Sequence, residues 1–371
     1  MKRSVALLLL AAVSCDGKRA VSPAVSPAAV ASTVVVSTTL SPQPSLRWYA
    51  GDMHMHVGPP DVGIESTATL ADVVRAATAA KLDFVVLTPH IRTEWWASAK
   101  RRATFLQQWH TLDEQARADP SITLIAGAEW TTRSGHFTVA DVDFERVQQD
   151  FLASAHQLGA IVSVNHPFAV PTHIPGYRIS ESDLSFREWT QKPTTKVSRY
   201  LDGVEVHNRP LAFANMFSRP GGKTGEAQAW AAASRLAIAE HRPIFTVGGS
   251  DSHNASASAV MWVRAAGNNR AAILDAIRRG ATCVGADDPS NSAAASLQIS
   301  SDEFRHAASI GESIAAPGNA SLRWTGNATL YIDGEDTGHF DGSYVHATGG
   351  TMHTYRLDDG STRCGYVYVN L

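Results

Sequence analysis

Short apolar runs alternate with segments of helical spacing through the middle of the chain. The runs 84–87 and 161–164 are mostly apolar, which is typical of strands buried on both faces. The segment 70–77 repeats apolar residues at helical spacing and follows Thr69 and Asp72, which resemble a capping box. Alternating strands and helices predict an α/β fold in which helices cover a parallel sheet.

The same patterns extend this alternation toward residue 286. They predict helices at 95–118, 144–158 and 269–279, a return strand within 130–140, and strands at 122–127, 203–207, 243–247, 259–263 and 281–284.

After residue 286 the pattern changes to short alternating runs separated by turn residues. The dipeptides Asp333-Gly334 and Asp359-Gly360 are strong hairpin signals. We therefore predict that 287–371 forms a small antiparallel β-sandwich-like domain. The sequence leaves open whether this domain contributes stability, oligomer contacts, or carbohydrate and surface binding.

Side chains that ligate metals follow these predicted strands. His54 and His56 share one face of an extended strand with Asp52, because side chains alternate between the two faces. Two imidazoles on one face offer two nitrogen ligands to a divalent cation. Parallel strands of a barrel gather their carboxyl ends around one mouth. The sequence therefore predicts a metal site built from the His, Asp and Glu side chains at these strand ends.

Residues 48–286 resemble the PHP (polymerase and histidinol phosphatase) superfamily, and most closely its CehA/McbA-like metallohydrolases. The motifs that carry the resemblance are Asp52-x-His54-x-His56, Asp61, Thr88-Pro89-His90, Gly127-Ala128-Glu129, Gly135-His136, Asn165-His166-Pro167 and Ser250-Asp251-x-His253. The sequence departs from the family at Pro89, where an aspartate commonly precedes the histidine.

The resemblance implies a distorted seven-stranded (β/α) barrel that holds two or three divalent ions, which are zinc, manganese or iron. One ion would be bound by His54, His56, Glu129 and Asp251. Glu129 would bridge to a second ion held by His136 and His166. Asp61, His90 and His253 would form a third site or line the pocket. Glu205 would orient a ligand rather than bind an ion itself.

A site of this kind implies hydrolysis by a metal-bridged hydroxide, with no separate nucleophile. Asp251, His253 or His90 would pass a proton to the leaving group. Phosphoesters of small molecules are the expected substrates. A carboxylic or carbamate aryl ester is the first alternative, and a metal-binding or ligand-binding envelope lipoprotein without turnover is the second.

Several polar residues near the predicted strand ends are candidates for substrate contacts. They are Arg92, His173, Arg178, Arg209 and His207. His173 and Arg178 lie in a long insertion, 169–200, which also carries Lys192 and Lys196. Trp95 and Trp96 either wall an aromatic pocket or pack in the core.

The composition argues against nucleic acid as a partner. Of the 371 residues, 44% are hydrophobic and 18% are charged, and the formal net charge is −3 with no long basic run. Neutralisation of a phosphate backbone requires clustered cations. The sequence makes no prediction of the oligomeric state.

The N-terminus predicts export. Basic residues Lys2 and Arg3 precede the apolar run 5–13, which is too short to span a bilayer. Residues 1–15 resemble a bacterial lipoprotein signal, with Cys15 as the lipidated residue, and an ordinary secretory signal is the alternative. Residues 16–46 would then form a flexible tether between the envelope membrane and a catalytic domain at 47–286. The protein would face the periplasm or the exterior.

Cys283 and Cys364 lie on the two sides of the predicted domain boundary. In an oxidising compartment they either pair in a disulfide or remain buried thiols, and the sequence leaves both possibilities open.

Overall fold

Strands supply most of the regular structure. The computed structural model describes residues 45–61, 66–132, 135–167, 173–174, 177–178, 197–209, 225–257, 261–301 and 304–371. Lys192, Lys196, the predicted signal peptide and the tether up to residue 44 lie outside the described residues. The strands are β1 (Arg47–Met55), β2 (Phe84–Leu87), β3 (His90–Arg92), β4 (Thr123–Thr132), β5 (Gly135–Ala140), β6 (Ile161–Val164), β7 (His173–Ile174), β8 (Tyr177–Arg178), β9 (Gly203–Asn208), β10 (Phe245–Gly249), β11 (Met261–Ala265), β12 (Thr282–Gly285), β13 (Gln298–Ser301), β14 (Phe304–Ala308), β15 (Ser313–Ile314), β16 (Asn319–Asn327), β17 (Thr329–Ile332), β18 (Glu335–Asp336), β19 (Asp341–Ala347), β20 (His353–Asp358), β21 (Thr362–Cys364) and β22 (Val367–Val369).

Helices connect and cover these strands. They are α1 (Leu70–Ala79), α2 (Thr93–Ala97), α3 (Ala99–Ala118), α4 (Phe151–Gln157), α5 (Gly225–Glu240) and α6 (Arg270–Arg278), with 3₁₀ turns at Phe144–Arg146, Ser198–Tyr200, Pro289–Asn291 and Ala293–Ser296. The predicted capping box is present at the start of α1, where the Thr69 side chain accepts from the Asp72 amide. No helix in the described residues has both the length and the apolar character needed to cross a membrane.

The main sheet is mixed and rich in parallel pairs. Its order begins β10-β9-β6-β5-β4-β2-β1-β11-β12 and continues into β21-β20-β17-β18. The pairs β1/β2, β2/β4, β6/β9 and β9/β10 are parallel. An isolated parallel bridge between Met55 and Ser252 also joins the end of β1 to the residues after β10. The carboxyl ends of these parallel strands therefore lie at one edge, where the predicted metal ligands follow them.

Several strands run against the parallel direction expected from the alternating pattern. The predicted return strand is β5, which is antiparallel to both β4 and β6. β11 and β12 form antiparallel pairs beside β1, so the expectation of parallel strands is wrong there. The apolar pattern of a strand reports which faces are buried and carries no information about its direction.

The C-terminal residues add a second, antiparallel sheet of order β14-β13-β16-β19. Ile299, Leu322 and Trp324 of this sheet pack with Tyr355 and Leu357 of the main sheet in one buried cluster. The main sheet itself crosses the predicted boundary at 286, because β12 pairs with β21. Cys283 and Cys364 face each other in this pairing and form a disulfide.

The predicted helix at 144–158 is wrong as a single element. A 3₁₀ turn ends at Arg146, and α4 begins only at Phe151. Between them the Gln148 carbonyl accepts from the Trp96 indole, and the Gln148 amide donates to the Ser154 hydroxyl. These tertiary bonds take backbone groups that a continuous helix would use. The predicted helix at 95–118 is similarly interrupted at Ser98, whose extended backbone and side chain cap α3.

Candidate metal centre

His54 and His56 stand side by side at the end of β1. Both are buried, and their Nε2 atoms are 3.2 Å apart. The His54 Nε2 atom lies 3.3 Å from Glu129 Oε1 and 3.5 Å from Asp251 Oδ1. Asp251 Oδ1 is also 3.2 Å from the His56 Nε2 atom. The structure thus brings together four of the predicted ligands, which come from β1, β4 and the end of β10.

Glu129 occupies the middle of the cluster. Its Oε1 atom is 3.2 Å from Nδ1 of His136 and 3.5 Å from Nε2 of His166. Its Oε2 atom is 3.1 Å from Nε2 of His90. Asn165 donates to Oε1 at 2.8 Å and so fixes the carboxylate between the histidines. Glu129 therefore lies close to four of the predicted histidine ligands, which are His54, His90, His136 and His166.

Asp61 holds two histidines at once. Oδ2 lies 3.0 Å from Nδ1 of His56, and Oδ1 lies 3.1 Å from Nδ1 of His90. Oδ1 also accepts from the His90 amide at 2.7 Å. Both Asp61 oxygens thus contact imidazole rings, and these contacts orient the rings of His56 and His90. Asp61, which is predicted either to bind a third ion or to line the pocket, thus contacts two of the predicted ligand histidines through their Nδ1 atoms.

Among the residues that the structure describes, four sets of side chains could each hold a metal ion, because within each set the potential ligand atoms lie within 4.8 Å of one another. They are His56, His90 and His253; His54, His56 and Asp251; His54, His166 and Glu205; and Glu129, His136 and His166.

The donor set fits divalent cations. Carboxylates face Nδ1 of His54, His56 and His90, namely those of Glu205 and Asp61. A carboxylate that accepts from Nδ1–H leaves the Nε2 lone pair directed at the centre, which is the usual arrangement behind a metal-bound imidazole. Mixed imidazole and carboxylate ligands suit zinc, manganese and iron.

Electrostatics leads to the same conclusion. Although burial opposes both shifts, the charges of His136 and His54 hold the pKa of Glu129 well below its usual value, and the charge of His54 lowers the pKa of Asp251. Burial lowers the pKa of His54, but nearby carboxylates outweigh this effect and raise that pKa. Burial also lowers the pKa of His56, but hydrogen bonds to Asp251 and Asp61 raise it to about 9. Without metal, protons on histidine balance the buried carboxylates. Divalent cations would replace those protons.

Two ligand candidates have unusual backbones. His166 has φ 31° and Asp251 has φ 50°, in the left-handed region that non-glycine residues rarely adopt. The His166 amide donates to Glu205 Oε2 at 2.5 Å, and the Asp251 amide donates to the His54 carbonyl at 2.7 Å. Backbone strain of this kind is concentrated at functional sites, where the surrounding structure enforces it.

Two polar residues of the cluster, Asn208 and Asp52, were assigned no role in the site from the sequence. Asn208 donates to Asp251 Oδ2 at 3.2 Å and lies within 3.5 Å of both Glu205 oxygens. Asp52 accepts from the amides of His54 and Ser250, each at 3.0 Å, and so ties the end of β1 to the end of β10. Burial raises the pKa of Asp52 to about 6, against its hydrogen bonds with Ser250 and His54. The position of Asp52 at the head of the His-x-His motif was the available signal.

The mouth of the cluster is the side on which its side chains are exposed to solvent. The exposed fraction is 42% for His253, 16% for His136, 13% for Asp251 and 10% for His90, against 1% or less for His54 and His56. His253 stacks on His56 with ring centroids 3.9 Å apart, and its Nδ1 atom is 3.0 Å from the Asp251 carbonyl. Of these six side chains, that of His253 is therefore the most accessible to solvent.

The predicted substrate contacts have different positions. The Arg92 guanidinium lies 5.6 Å from the centre of the Trp95 ring, and Arg209 is exposed just after β9. His207 turns to Glu226, with Nδ1 2.6 Å from Oε1. The backbones of His173 and Arg178 pair in the two-stranded sheet β7/β8, and their side chains lie outside the described residues.

Trp96 and the C-terminal His353 have defined contacts. Trp96 is buried against Phe105, Trp130 and Phe151, so it packs in the core rather than in a pocket wall. In the C-terminal region, His353 is held by Asp333 and the Thr348 carbonyl.

One known protein family matches a segment of the chain that contributes to this site. Residues 234–282 match a family described as PHP-associated. The match supports the PHP superfamily. It contains Asp251 and His253, the two ligand candidates that follow β10. No curated protein matches the chain.

Three solved structures are similar at low identity. A two-domain protein from Bacteroides vulgatus, described as containing a predicted PHP-like metal-dependent phosphoesterase, is 16% identical, with 86% of this chain and 87% of that chain covered and a TM-score of 0.42. PsfC from Pseudomonas syringae is 19% identical, with coverage of 62% and 88% and a TM-score of 0.37. Endonuclease Q bound to a duplex with an abasic lesion is 10% identical, with coverage of 62% and 56% and a TM-score of 0.35.

Proposed function

We propose that this protein is a metal-dependent hydrolase of the PHP superfamily that acts on small-molecule phosphoesters. The observation that carries the proposal is the position of Glu129. Its Oε1 atom lies 3.3 Å from His54 of one ligand set and 3.2 Å from His136 of another. A carboxylate between two ligand sets is suited to bridging two cations.

Two bound cations would supply the Lewis acidity and the lowered pKa of water that phosphoester hydrolysis needs. The protein's own residues divide the remaining work. Glu205 and Asp61 orient the histidines, and Asn165 and Asn208 hold Glu129 and Asp251.

Among the candidate catalytic residues, His253 is the one we assign to proton exchange with the leaving group. Its side chain is 42% exposed, whereas those of His90 and Asp251 are 10% and 13% exposed. The Nδ1 atom of His253 lies 3.0 Å from the Asp251 carbonyl oxygen, and this contact fixes the ring at the mouth.

We further propose that β1, β2, β4, β5, β6, β9 and β10 form the distorted seven-stranded barrel of this superfamily. The parallel bridge between Met55 and Ser252, which joins the end of β1 to the residues just after β10, supports closure. The resemblance to CehA/McbA-like enzymes and the lipidation of an exported chain at Cys15 belong to the same proposal.

Elemental analysis and a substrate panel test the function together. We expect two or three ions per chain in a soluble protein that starts near Ser45, and the loss of at least one ion in a His54→Ala/His56→Ala variant. His110→Ala is the matched control, because His110 pairs with the exposed Glu145 on the surface.

The panel contains p-nitrophenyl phosphate, bis-p-nitrophenyl phosphate and naphthyl esters. Phosphoester turnover that follows metal content supports the proposal. Turnover of carboxylic esters alone would make the protein an esterase instead. Metal binding with no turnover in the panel would favour a binding lipoprotein.

A further inference from the structure

A small pocket lies beside Pro60, near the start of α3. Its volume is about 460 Å³, and it is lined by Pro60, Trp95, Lys100, Arg101 and Thr104, among others. Pro60 immediately precedes Asp61, which holds His56 and His90. Trp95 lies on α2, which starts directly after β3 and therefore directly after the strand that carries His90. The pocket thus lies at the same edge of the sheet as the metal cluster.

The pocket is strongly cationic. Lys100 and Arg101 are exposed, and neither forms an ion pair with any residue that the structure describes. By contrast, Arg117 and Arg270 both pair with Asp113. This concentration of positive charge belongs to a chain whose net charge is −3.

Two more arginines extend the cationic surface. The Arg92 guanidinium lies 5.6 Å from the centre of the Trp95 ring, and that of Arg102 lies 5.7 Å from the Trp96 ring. Glu94 is the carboxylate nearest to them in the chain. Lys100, Arg101 and Arg102 are consecutive in the chain, and three adjacent cations form a surface that would attract an anion.

The positions of these cations lower the stability of the fold. Lys100, Arg101 and Arg102 lie in the first turn of α3, which contains no acidic residue. The positive end of the helix dipole lies there, so cations destabilise this turn and an anion would stabilise it. A cost of this kind in stability is typical of a surface selected for binding.

We propose that this pocket binds a second anionic group of the substrate, remote from the phosphoester at the metal cluster. This inference rests on the proposed function and narrows it: the natural substrate is a phosphoester that carries another phosphate or a carboxylate. Lys100 and Arg101 supply the charge, the helix end adds to it, and Trp95 supplies an apolar wall for the linking part of the molecule.

Binding measurements test the pocket independently of turnover. Calorimetry on the metal-loaded protein would compare phosphonates that end in a carboxylate, on linkers of one to four methylene groups, with the same phosphonates ending in a carboxamide. At the best linker length we expect the carboxylate to bind about fivefold more tightly, the scale of one exposed ion pair. Equal affinities at every length would overturn the proposal.

The matched variant is Lys100→Glu/Arg101→Glu, with Arg323→Gln in the second sheet as the control for an exposed cation. The glutamates should abolish the preference for the carboxylate, whereas Arg323→Gln should retain it. The same double variant should melt at an equal or higher temperature, because acidic residues suit the first turn of a helix. Retention of the preference, or its loss together with a lower melting temperature, would refute a binding role.

Kinetics separates the two proposals. If the wild type hydrolyses phosphoesters but shows no preference for a second anionic group, the pocket proposal fails and the function stands. If it hydrolyses no phosphoester, the function fails, and calorimetry decides whether the pocket binds the second anion.

Discussion

The carboxylate of Glu205 lies 3.1 Å from Nδ1 of His54, on the opposite side of the imidazole from Glu129. Both residues are 1% exposed, and 151 positions separate them in the chain. A buried carboxylate on Nδ1 fixes the tautomer and raises the basicity of Nε2. Glu205 therefore acts on the cluster through His54.

Replacing Glu205 by glutamine should weaken metal binding by roughly 10-fold to 100-fold, because the amide orients His54 less firmly and removes a buried charge. Competition with a chelator measures the affinity. Glu145→Gln is the control, since Glu145 contacts His110 on the surface. Unchanged affinity in Glu205→Gln would show that His54 is oriented without this contact.

Gly249 leaves room for the cluster. A Cβ atom there would lie 2.3 Å from the His54 Cβ atom and 2.7 Å from Glu205 Oε1. Gly249→Ala should therefore displace both side chains and lower the metal content of the purified protein. Gly318→Ala is the matched substitution, because a Cβ atom at Gly318 meets no atom within 4 Å. Full occupancy in Gly249→Ala would mean that the strand end relaxes without loss of ligand geometry.

The stability of the metal-free protein should decrease as pH rises from 6.5 to about 9. Burial opposes the shift, but hydrogen bonds to Asp251 and Asp61 raise the pKa of His56 from 6.5 to about 9. A raised folded-state pKa stabilises the fold below the unfolded pKa, and this contribution, on the order of 3 kcal/mol, is lost as pH approaches the folded value.

Metal affinity should change in the opposite direction over the same interval, because only neutral imidazole binds metal. The difference in melting temperature between metal-loaded and metal-free protein should therefore increase from pH 6.5 to 9. Thermal melts at several pH values check this. A constant difference would contradict the protonated state of the metal-free cluster.

Removing the disulfide should lower the free energy of unfolding without emptying the metal site. Cys283 and Cys364 close a loop of 81 positions, and such a cross-link stabilises a fold by about 2–4 kcal/mol. Denaturant unfolding of Cys283→Ala/Cys364→Ala measures the loss, and thiol labelling of the unfolded wild type confirms the bond. A double variant as stable as the oxidised wild type would indicate that pairing of β12 with β21 suffices.

Much of the candidate site could be read from local patterns. His54 and His56 share a face because side chains alternate along a strand, and the ligands after β6 and β10 follow apolar runs that identify those strands. The breaks at Ser98 and after Arg146 could not be read in this way. Backbone groups there are taken by distant partners, such as the Trp96 indole on Gln148.

The sequence alone determined which side chains are available and which ends of the strands they follow, because strand and helix periods are properties of neighbouring residues. The tertiary structure alone decided how those side chains are shared. In the folded chain both Asp61 oxygens contact His56 and His90, Asn208 donates to Asp251, and β11 pairs with β1 in the antiparallel direction. Contacts of this kind join residues far apart in the chain, and their partners are selected by packing of the whole sheet rather than by any local pattern.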